Sequence, residues 1–288
     1  MDDSTAVLKA RAFVRSFLGL TLPVAMDPYV EKVGATLKYD ADIADDQSGY
    51  SLPIRGQWHI IVNARHIEER QRFTICHEIG HLYLDLSSEH MGKSDLQRYT
   101  RRPRNEILCD VFASEILLPS DLLRPLVNEA EMGFESIVTL ARDCKASWTA
   151  VGSRFAALNQ TPCAFVLTER GFVRYVSQSL PLRDMGAWVQ FGAHVPLSSL
   201  AAQGENLSRH GPCSVDPAEW FEDWTRGGTL YEEARYLAEW ERTLSLLWFE
   251  ESYLPSREER ETEGDEEIDP YCRELDGNLS WPDKKRKR

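Results

Sequence analysis

No two of the six cysteines form a C-x-x-C pair; they stand alone at 76, 109, 144, 163, 213 and 272. That scatter reads as a set of free thiols rather than a disulfide framework. No apolar run approaches the roughly 18 residues that a membrane-spanning helix needs. The opening Met1-Asp2-Asp3-Ser4 lacks the basic start of a signal peptide. The expectation is a soluble protein of the cytoplasm. Positive charge is also short: Lys+Arg 33 against Asp+Glu 46 leaves a net −13. Such a chain is repelled by phosphate backbones, which argues against non-specific nucleic-acid binding and favours basic partners. Proline is missing between Ile54 and Pro103, so nothing forces a helix to break there. What remains is ample for a core, with 42% hydrophobic residues in 288, enough for one large domain or two to three small ones.

Inside the proline-free stretch lies Phe73-Thr74-Ile75-Cys76-His77-Glu78-Ile79-Gly80-His81-Leu82-Tyr83-Leu84, which contains H-E-x-x-H. On a helix, positions i and i+4 share a face. His77 and His81 can therefore present two imidazoles to one metal ion, which Zn²⁺ accepts at roughly 2.0–2.1 Å per nitrogen. Glu78 sits beside the first histidine, in reach of a metal-bound water without ligating the metal. Ile75, Ile79, Leu82 and Leu86 recur at helical spacing and predict one buried side. Gly80 costs about 1 kcal/mol against alanine in a helix interior. Close approach of another backbone, such as a strand edge, would justify it.

A metal site needs a third protein ligand, and a catalytic one leaves a fourth position open to water. Six residues past His81, where a metzincin has histidine, stands Ser87. His90 is in loop reach but fits no ligand spacing. Glu106, in Asn105-Glu106-Ile107-Leu108-Cys109-Asp110, follows after enough chain for a loop and a second helix to return. Asp110 lies one turn later on the same face, where a carboxylate can accept the second N–H of a ligand histidine and fix its tautomer. The N-E-x-x-x-D spacing resembles the third-ligand segment of thermolysin-like gluzincins.

Two blocks together resemble one family. Arg72 to His81 is similar to the R-F-T-x-A-H-E-x-G-H segment of ImmA/IrrE-type metallopeptidases. Glu106 to Pro119 is similar to their E-x-x-A-[ND]-x-F-A-x-x-L-L-x-P. The likeness is strong from about Ser48 to Pro119 and weaker beyond. Cys76 and Cys109 replace alanines and are expected to pack rather than react. The resemblance implies a zincin-like domain that binds Zn²⁺ through His77, His81 and Glu106, with Asp110 behind them. Glu78 would be the catalytic base that takes a proton from zinc-bound water. It also implies limited proteolysis of a helix-turn-helix repressor, here a basic one by charge. Tyr83, His90 and Tyr99 all remain candidates for an oxyanion donor.

The rest of the chain divides by pattern. Thr5 to Leu18 predicts an amphipathic helix with Val7, Ala10, Val14, Phe17 and Leu18 inward and Ser4 as cap. Pro28 suits the first position of a second helix. Strands are expected at Ala35 to Tyr39, Ser48 to Leu52 and Gln57 to Val62. The last is either a substrate-pairing edge or an ordinary sheet strand. His59 and His66 carry no ligand spacing. Ser87 to Pro103 is a polar, partly basic loop beside the site. Ser136 to Asp143 and Ser147 to Leu158 look like a helix-turn-helix, but the second helix carries one cation, Arg154, so a packed pair is preferred to a base-reading one. Beyond Pro162 the period becomes two. Cys163 to Thr168, Phe172 to Ser177, Thr229 to Leu237 and Arg242 to Phe249 read as strands, with a hairpin at Glu169-Arg170-Gly171. Trp220, Trp224, Trp240 and Trp248 line a pocket or fill a core.

The expected fold class is α+β. Residues 1–120 form a zinc metallopeptidase domain, 121–160 a helical segment, and 161–250 an α+β domain similar to the GAF-like sensor of the radiation-response branch. Residues 251–288 form a charged, disordered tail ending in a basic run. The alternative is a non-catalytic regulator or interaction module of a toxin, immunity or defence system that docks a partner on a peptidase fold. Glu78 discriminates, because docking needs no general base.

Overall fold

The computed structural model describes residues 1–87, 103–207, 211–222 and 224–249. The chain divides into two compact units, Met1–Asn159 and Gln160–Arg288, and both mix helix with strand. No helix among the described residues is long and apolar enough to cross a membrane.

The first unit opens with α1 (Asp3–Arg15), capped by Asp2, whose carboxylate accepts from Thr5 N at 2.8 Å. Asp2 takes the place expected for Ser4, which falls inside the first turn. A carboxylate there answers both the orphan N–H groups and the helix dipole. The helix stops at Ser16, whose hydroxyl donates to Phe13 O, so Leu18 lies outside it at 99% exposure and leaves the predicted apolar stripe. In α2 (Met26–Lys32) Pro28 is the third helical residue rather than the first. Its missing N–H costs nothing within the first turn.

Three strands follow: β1 (Ala35–Asp40), β2 (Gly49–Ile54) and β3 (Gln57–Asn63). Their order is β1-β3-β2, with β1 parallel and β2 antiparallel to β3. The segment around Gln57 to Val62 is thus the central strand and not the edge. Of the two edge strands, β2 packs beside α3 (Glu68–Leu84), which crosses the inner face of the sheet. Helix α4 (Arg104–Leu117) lies along α3, and α1 packs on α4. Phe13, Tyr29, Ile60, Ile75, Ile79 and Phe112 are buried where these layers meet.

Helices α5 (Ser120–Glu129), α6 (Phe134–Cys144) and α7 (Trp148–Leu158) complete the unit. Between α6 and α7 the chain turns through Lys145 at φ 51°, and Ser147 caps α7 through Ala150 N. Arg154 is 1% exposed. Its Nη2 donates to Glu115 Oε2 at 3.0 Å, Ser120 Oγ at 2.6 Å and Leu118 O at 3.3 Å. The single cation of α7 is therefore spent on tying that helix to the end of α4.

In the second unit, β4 (Cys163–Glu169), β5 (Phe172–Gln178), β6 (Cys213–Val215), β7 (Leu230–Leu237) and β8 (Arg242–Phe249) make an antiparallel sheet of order β5-β4-β8-β7-β6. Arg170 and Gly171 both have positive φ, as a two-residue I′ hairpin loop requires. One face of this sheet carries the core: Ala164, Val166, Leu230, Leu247 and Phe249 with Trp220 and Phe221. On that face Glu232 is fully buried and accepts from Leu200 N and Ala201 N. The four tryptophans do not share a pocket. Trp220 and Trp224 join the core, Trp248 stacks on Tyr231 on the opposite face by strand alternation, and Trp240 is exposed. The tail from residue 250 on lies outside the described residues.

Breaking one side of a buried ion pair costs about 3–5 kcal/mol. Glu115 keeps Ser120 N at 3.0 Å, Ser120 Oγ at 2.7 Å and Arg11 Nε at 3.6 Å. Arg154→Met is therefore expected at the low end, about 3 kcal/mol less stable by urea unfolding, since the remaining partners share the charge.

Candidate metal centre

Helix α3 begins with Glu68 and Glu69 in its first turn, where acidic side chains meet the positive end of the helix dipole. Arg72, 8% exposed, anchors it further along by donating to Val24 O at 2.8 Å and Lys145 O at 3.2 Å. The helix closes at Asp85, in the left-handed region at φ 56°, and Leu86 N bonds His81 O at 3.0 Å. Leu86 therefore sits past the helix end, and the buried stripe runs through Ile75 and Ile79, with Leu84 also buried.

Gly80 has the role expected of it, but the neighbour is a helix rather than a strand. A Cβ on Gly80 would lie 3.2 Å from Cys109 Cα and 3.3 Å from Cys109 Cβ and O. Helices α3 and α4 touch backbone to backbone there, and Cys109 is small enough to permit it. Both Cys76 and Cys109 are fully buried. Burial pushes the Cys76 thiol up to about 12, and Sγ rests on Met26 Sδ at 3.9 Å, so packing accounts for it.

The close approach brings His77, His81 and Glu106 together, each with one donor atom within 4.8 Å of the others. His77 Nε2 is 3.1 Å from Glu106 Oε2 and 3.1 Å from His81 Nε2, and His81 Nε2 is 3.4 Å from Glu106 Oε1. The other ring nitrogens are committed. His81 Nδ1 lies 3.1 Å from Leu86 O, a carbonyl that can only accept, so Nδ1 carries the proton. His77 Nδ1 lies 2.8 Å from Asp110 Oδ1. That leaves the two Nε2 lone pairs and a carboxylate converging at less than 10% exposure. A cation relieves the convergence, and so does an added proton. Burial works against a charged His77, yet the hydrogen bonds to Asp110 and Glu106 and the charges of Asp110 and Glu78 outweigh it and push its pKa up to about 10. Two imidazoles with one carboxylate are a donor set that suits zinc, and the backing of His77 by a carboxylate and of His81 by a carbonyl is the usual second tier of such a site.

Glu78 is 1% exposed and accepts a hydrogen bond from Ser51 Oγ at 2.7 Å. Tyr83 is turned away: its ring packs on Phe13 and Phe112, with centroids at 5.0 and 5.4 Å. His90 and Tyr99 lie outside the described residues, as does most of the polar loop between the helices. His59 pairs with Thr36 Oγ1 and His66 with Asp45 O, so neither joins the cluster. Reading the sequence missed Ser51 and the Leu86 carbonyl. Neither carries a motif signal; one depends on strand register and the other on how the helix ends.

Residues 31–155 match the family model described as the IrrE N-terminal-like domain. The chain is similar to the radiation response metalloprotease IrrE of Deinococcus radiodurans, 32% identical over 107 residues, which is 36% of this chain and 31% of that protein. The protein of the same name from Deinococcus deserti is 31% identical over 110 residues, 35% of this chain and 36% of that one. The chain thus spans about a third of the length of each relative. Among solved structures, a Mycobacterium tuberculosis transcriptional regulator superposes with a TM-score of 0.52 at 13% identity, over 85% of this chain and 76% of that one, a likeness of fold alone.

Two substitutions test the geometry. Asp110→Ala removes the acceptor behind His77 and is expected to weaken metal binding by roughly 10–100-fold in a chelator competition. Gly80→Ala sets a gain of about 1 kcal/mol in helix propensity against about 1–3 kcal/mol of overpacking. The atoms it meets are largely backbone and cannot swing aside. The expected outcome is a wider α3–α4 spacing, with weaker metal retention than the parent in the same competition.

Proposed function

From the premise that residues 31–155 of this chain belong to the ImmA/IrrE family of metallopeptidase domains, we propose that the protein is a zinc-dependent endopeptidase performing limited proteolysis of a regulatory protein. The observation that carries this reading is the convergence of His77, His81 and Glu106 with a buried carboxylate, Glu78, on the same helical turn. His77, His81 and Glu106 hold the metal, and Asp110 orients His77. Zinc bound there supplies Lewis acidity, polarising a peptide carbonyl and lowering the pKa of water toward about 7.

The chain's own residues do the rest. The Glu78 carboxylate takes a proton from the attacking water and passes it to the nitrogen of the departing peptide. Its burial excludes competing solvent. Among the described residues, strand β2 is an edge of its sheet beside the metal helix, and an extended substrate segment pairs there by backbone hydrogen bonds. That mode selects a loop or a locally unfolded stretch and not an intact helix. A non-catalytic docking module gives no task to a buried, hydrogen-bonded Glu78, which is why the enzymatic reading is preferred.

The proposed substrate is a small, basic helix-turn-helix repressor encoded near this gene. Two features support it: the family resemblance, and a net charge of −13 that steers a DNA-binding protein inward. The proposed organisation assigns 1–120 to the peptidase and 121–160 to a helix-turn-helix-like brace. Residues 161–250 form a GAF-like sensor domain. The second unit's antiparallel five-stranded sheet supports the sensor assignment at the level of architecture.

Protein purified without added metal is expected to hold one zinc per chain by elemental analysis. Incubated with the neighbouring repressor and read by intact mass, the parent yields two fragments and Glu78→Gln yields none while retaining its zinc. The Glu78→Gln loss falls on kcat rather than on affinity. Cleavage at low substrate slows as ionic strength rises. Equal turnover by the parent and Glu78→Gln would overturn the enzymatic reading.

A further inference from the structure

The inner face of β2 contains a contact that no motif announces. Alternate residues of the strand point to opposite sides of the sheet. Gly49 and Ser51 face α3, since Ser51 Oγ donates to Glu78 Oε2 at 2.7 Å. Gly49 is pinned. A Cβ there would fall 2.7 Å from both Thr74 Cγ2 and Ile61 O. Thr74 stands one helical turn before Glu78. Two strand residues advance about 6.8 Å and four helical residues about 6 Å, so the two contacts run in step. The strand lies against the helix in one register, with Gly49 on Thr74 and Ser51 on Glu78.

We infer that Ser51 is a positioning residue for the proposed reaction: its hydroxyl holds the Glu78 carboxylate in the orientation from which it receives a proton. The inference rests on the reading of Glu78 as the base. A glutamate side chain has three torsions, and the last, which sets the plane of the carboxylate, is broad and weakly restrained. One short, charge-assisted bond from a fixed strand removes that freedom. The donor's location adds a second consequence. Ser51 belongs to the edge strand on which an extended substrate pairs, so a shift of β2 on substrate binding is transmitted directly to Glu78. Position 51 accepts serine or threonine on this reading. Alanine packs as well but removes this hydrogen bond to the carboxylate.

The experiment uses the full-length, zinc-loaded protein with Ser51→Ala and Ser51→Thr, fluorescein-labelled casein as the kinetic probe, and crystal structures of the parent and Ser51→Ala. Removing one hydrogen bond to a charged group predicts a fall in kcat of about tenfold for Ser51→Ala. KM and zinc content stay at the parent's values. Ser51→Thr restores kcat to within about twofold, because the hydroxyl and not the residue is required. In the Ser51→Ala crystals the Glu78 carboxylate occupies a different or a second orientation. An unchanged kcat with Glu78 in its parental position would overturn the inference, and so would a loss that threonine does not rescue. If the parent and Glu78→Gln treat casein alike, the casein arm reads no reaction that depends on Glu78, and the repressor cleavage above decides the peptidase reading. The position of Glu78 in the two crystals then still decides whether Ser51 holds it: a moved carboxylate upholds the contact and an unmoved one rejects it.

Discussion

The backbone contact between Gly80 and Cys109 is the constraint on which the site depends. Two histidines one turn apart on α3 supply two donors, and geometry allows them no third from the same helix face. The third must come from a neighbour close enough for a glutamate to reach Nε2. With Cys109 Cα only 3.2 Å from where a Cβ on Gly80 would stand, α3 and α4 approach more closely than two ordinary helix surfaces would. Glu106 is one turn before Cys109 on α4 and Asp110 is next to it. A single point of contact therefore delivers a carboxylate to the Nε2 side of His77 and another to its Nδ1 side. The helix cost of Gly80 and the small residue at 109 are two halves of one requirement.

That arrangement settles the tautomers. A carbonyl behind His81 and a carboxylate behind His77 take the Nδ1 protons, so both lone pairs turn inward. Three electron-rich groups converging in a nearly water-free site is an unfavourable arrangement for a protein on its own, and a proton on His77 or a cation among the three offsets it. The raised proton affinity of His77 and the suitability of the trio for a metal have the same origin. Glu78 stands outside the trio, held from the opposite side by Ser51 of β2. The helix thus separates two tasks: its α4 side gathers donors, and its β2 side holds a carboxylate.

The sequence was most readable where a local period carried the information. The metal helix and the four long strands after Pro162 follow from spacing within short windows, and Glu106 from the likeness of its segment to that of a known family. What it left open or missed came mostly from non-local pairing, with the end of α1 a local exception. Gln57 to Val62 looks like any strand next to the motif, and only the parallel pairing with β1 makes it central. Leu18 fits the stripe of α1 but lies past Ser16, where a hydroxyl bonded to Phe13 O ends the helix. Ser51 is invisible because its partner lies 27 residues away and depends on the register of β2 against α3. Pocket and core are both open to the four tryptophans in sequence, and strand alternation separates Trp248 from Trp220 and Trp224.

The α6–α7 pair shows how a motif-like segment is absorbed into the scaffold. Two links join its turn to α3. The Lys145–Glu68 ion pair at 2.8 Å has both side chains about half exposed, and such pairs contribute roughly 0–1 kcal/mol at most. Arg72, by contrast, is buried and donates to Lys145 O, the carbonyl left open by the left-handed residue that ends α6. A charge-assisted bond of that kind contributes about 1.5–3 kcal/mol, and losing it leaves a buried guanidinium short of a partner. The geometry of the turn is therefore tied to the metal helix two residues before its first buried turn. At the other end of the pair, Arg154 is consumed by Glu115 and Ser120 at the close of α4. The two helices of the pair thus brace the two helices of the site, one each. The one cation of α7 is turned inward to Glu115 and Ser120, while Lys145 at the turn stays half exposed.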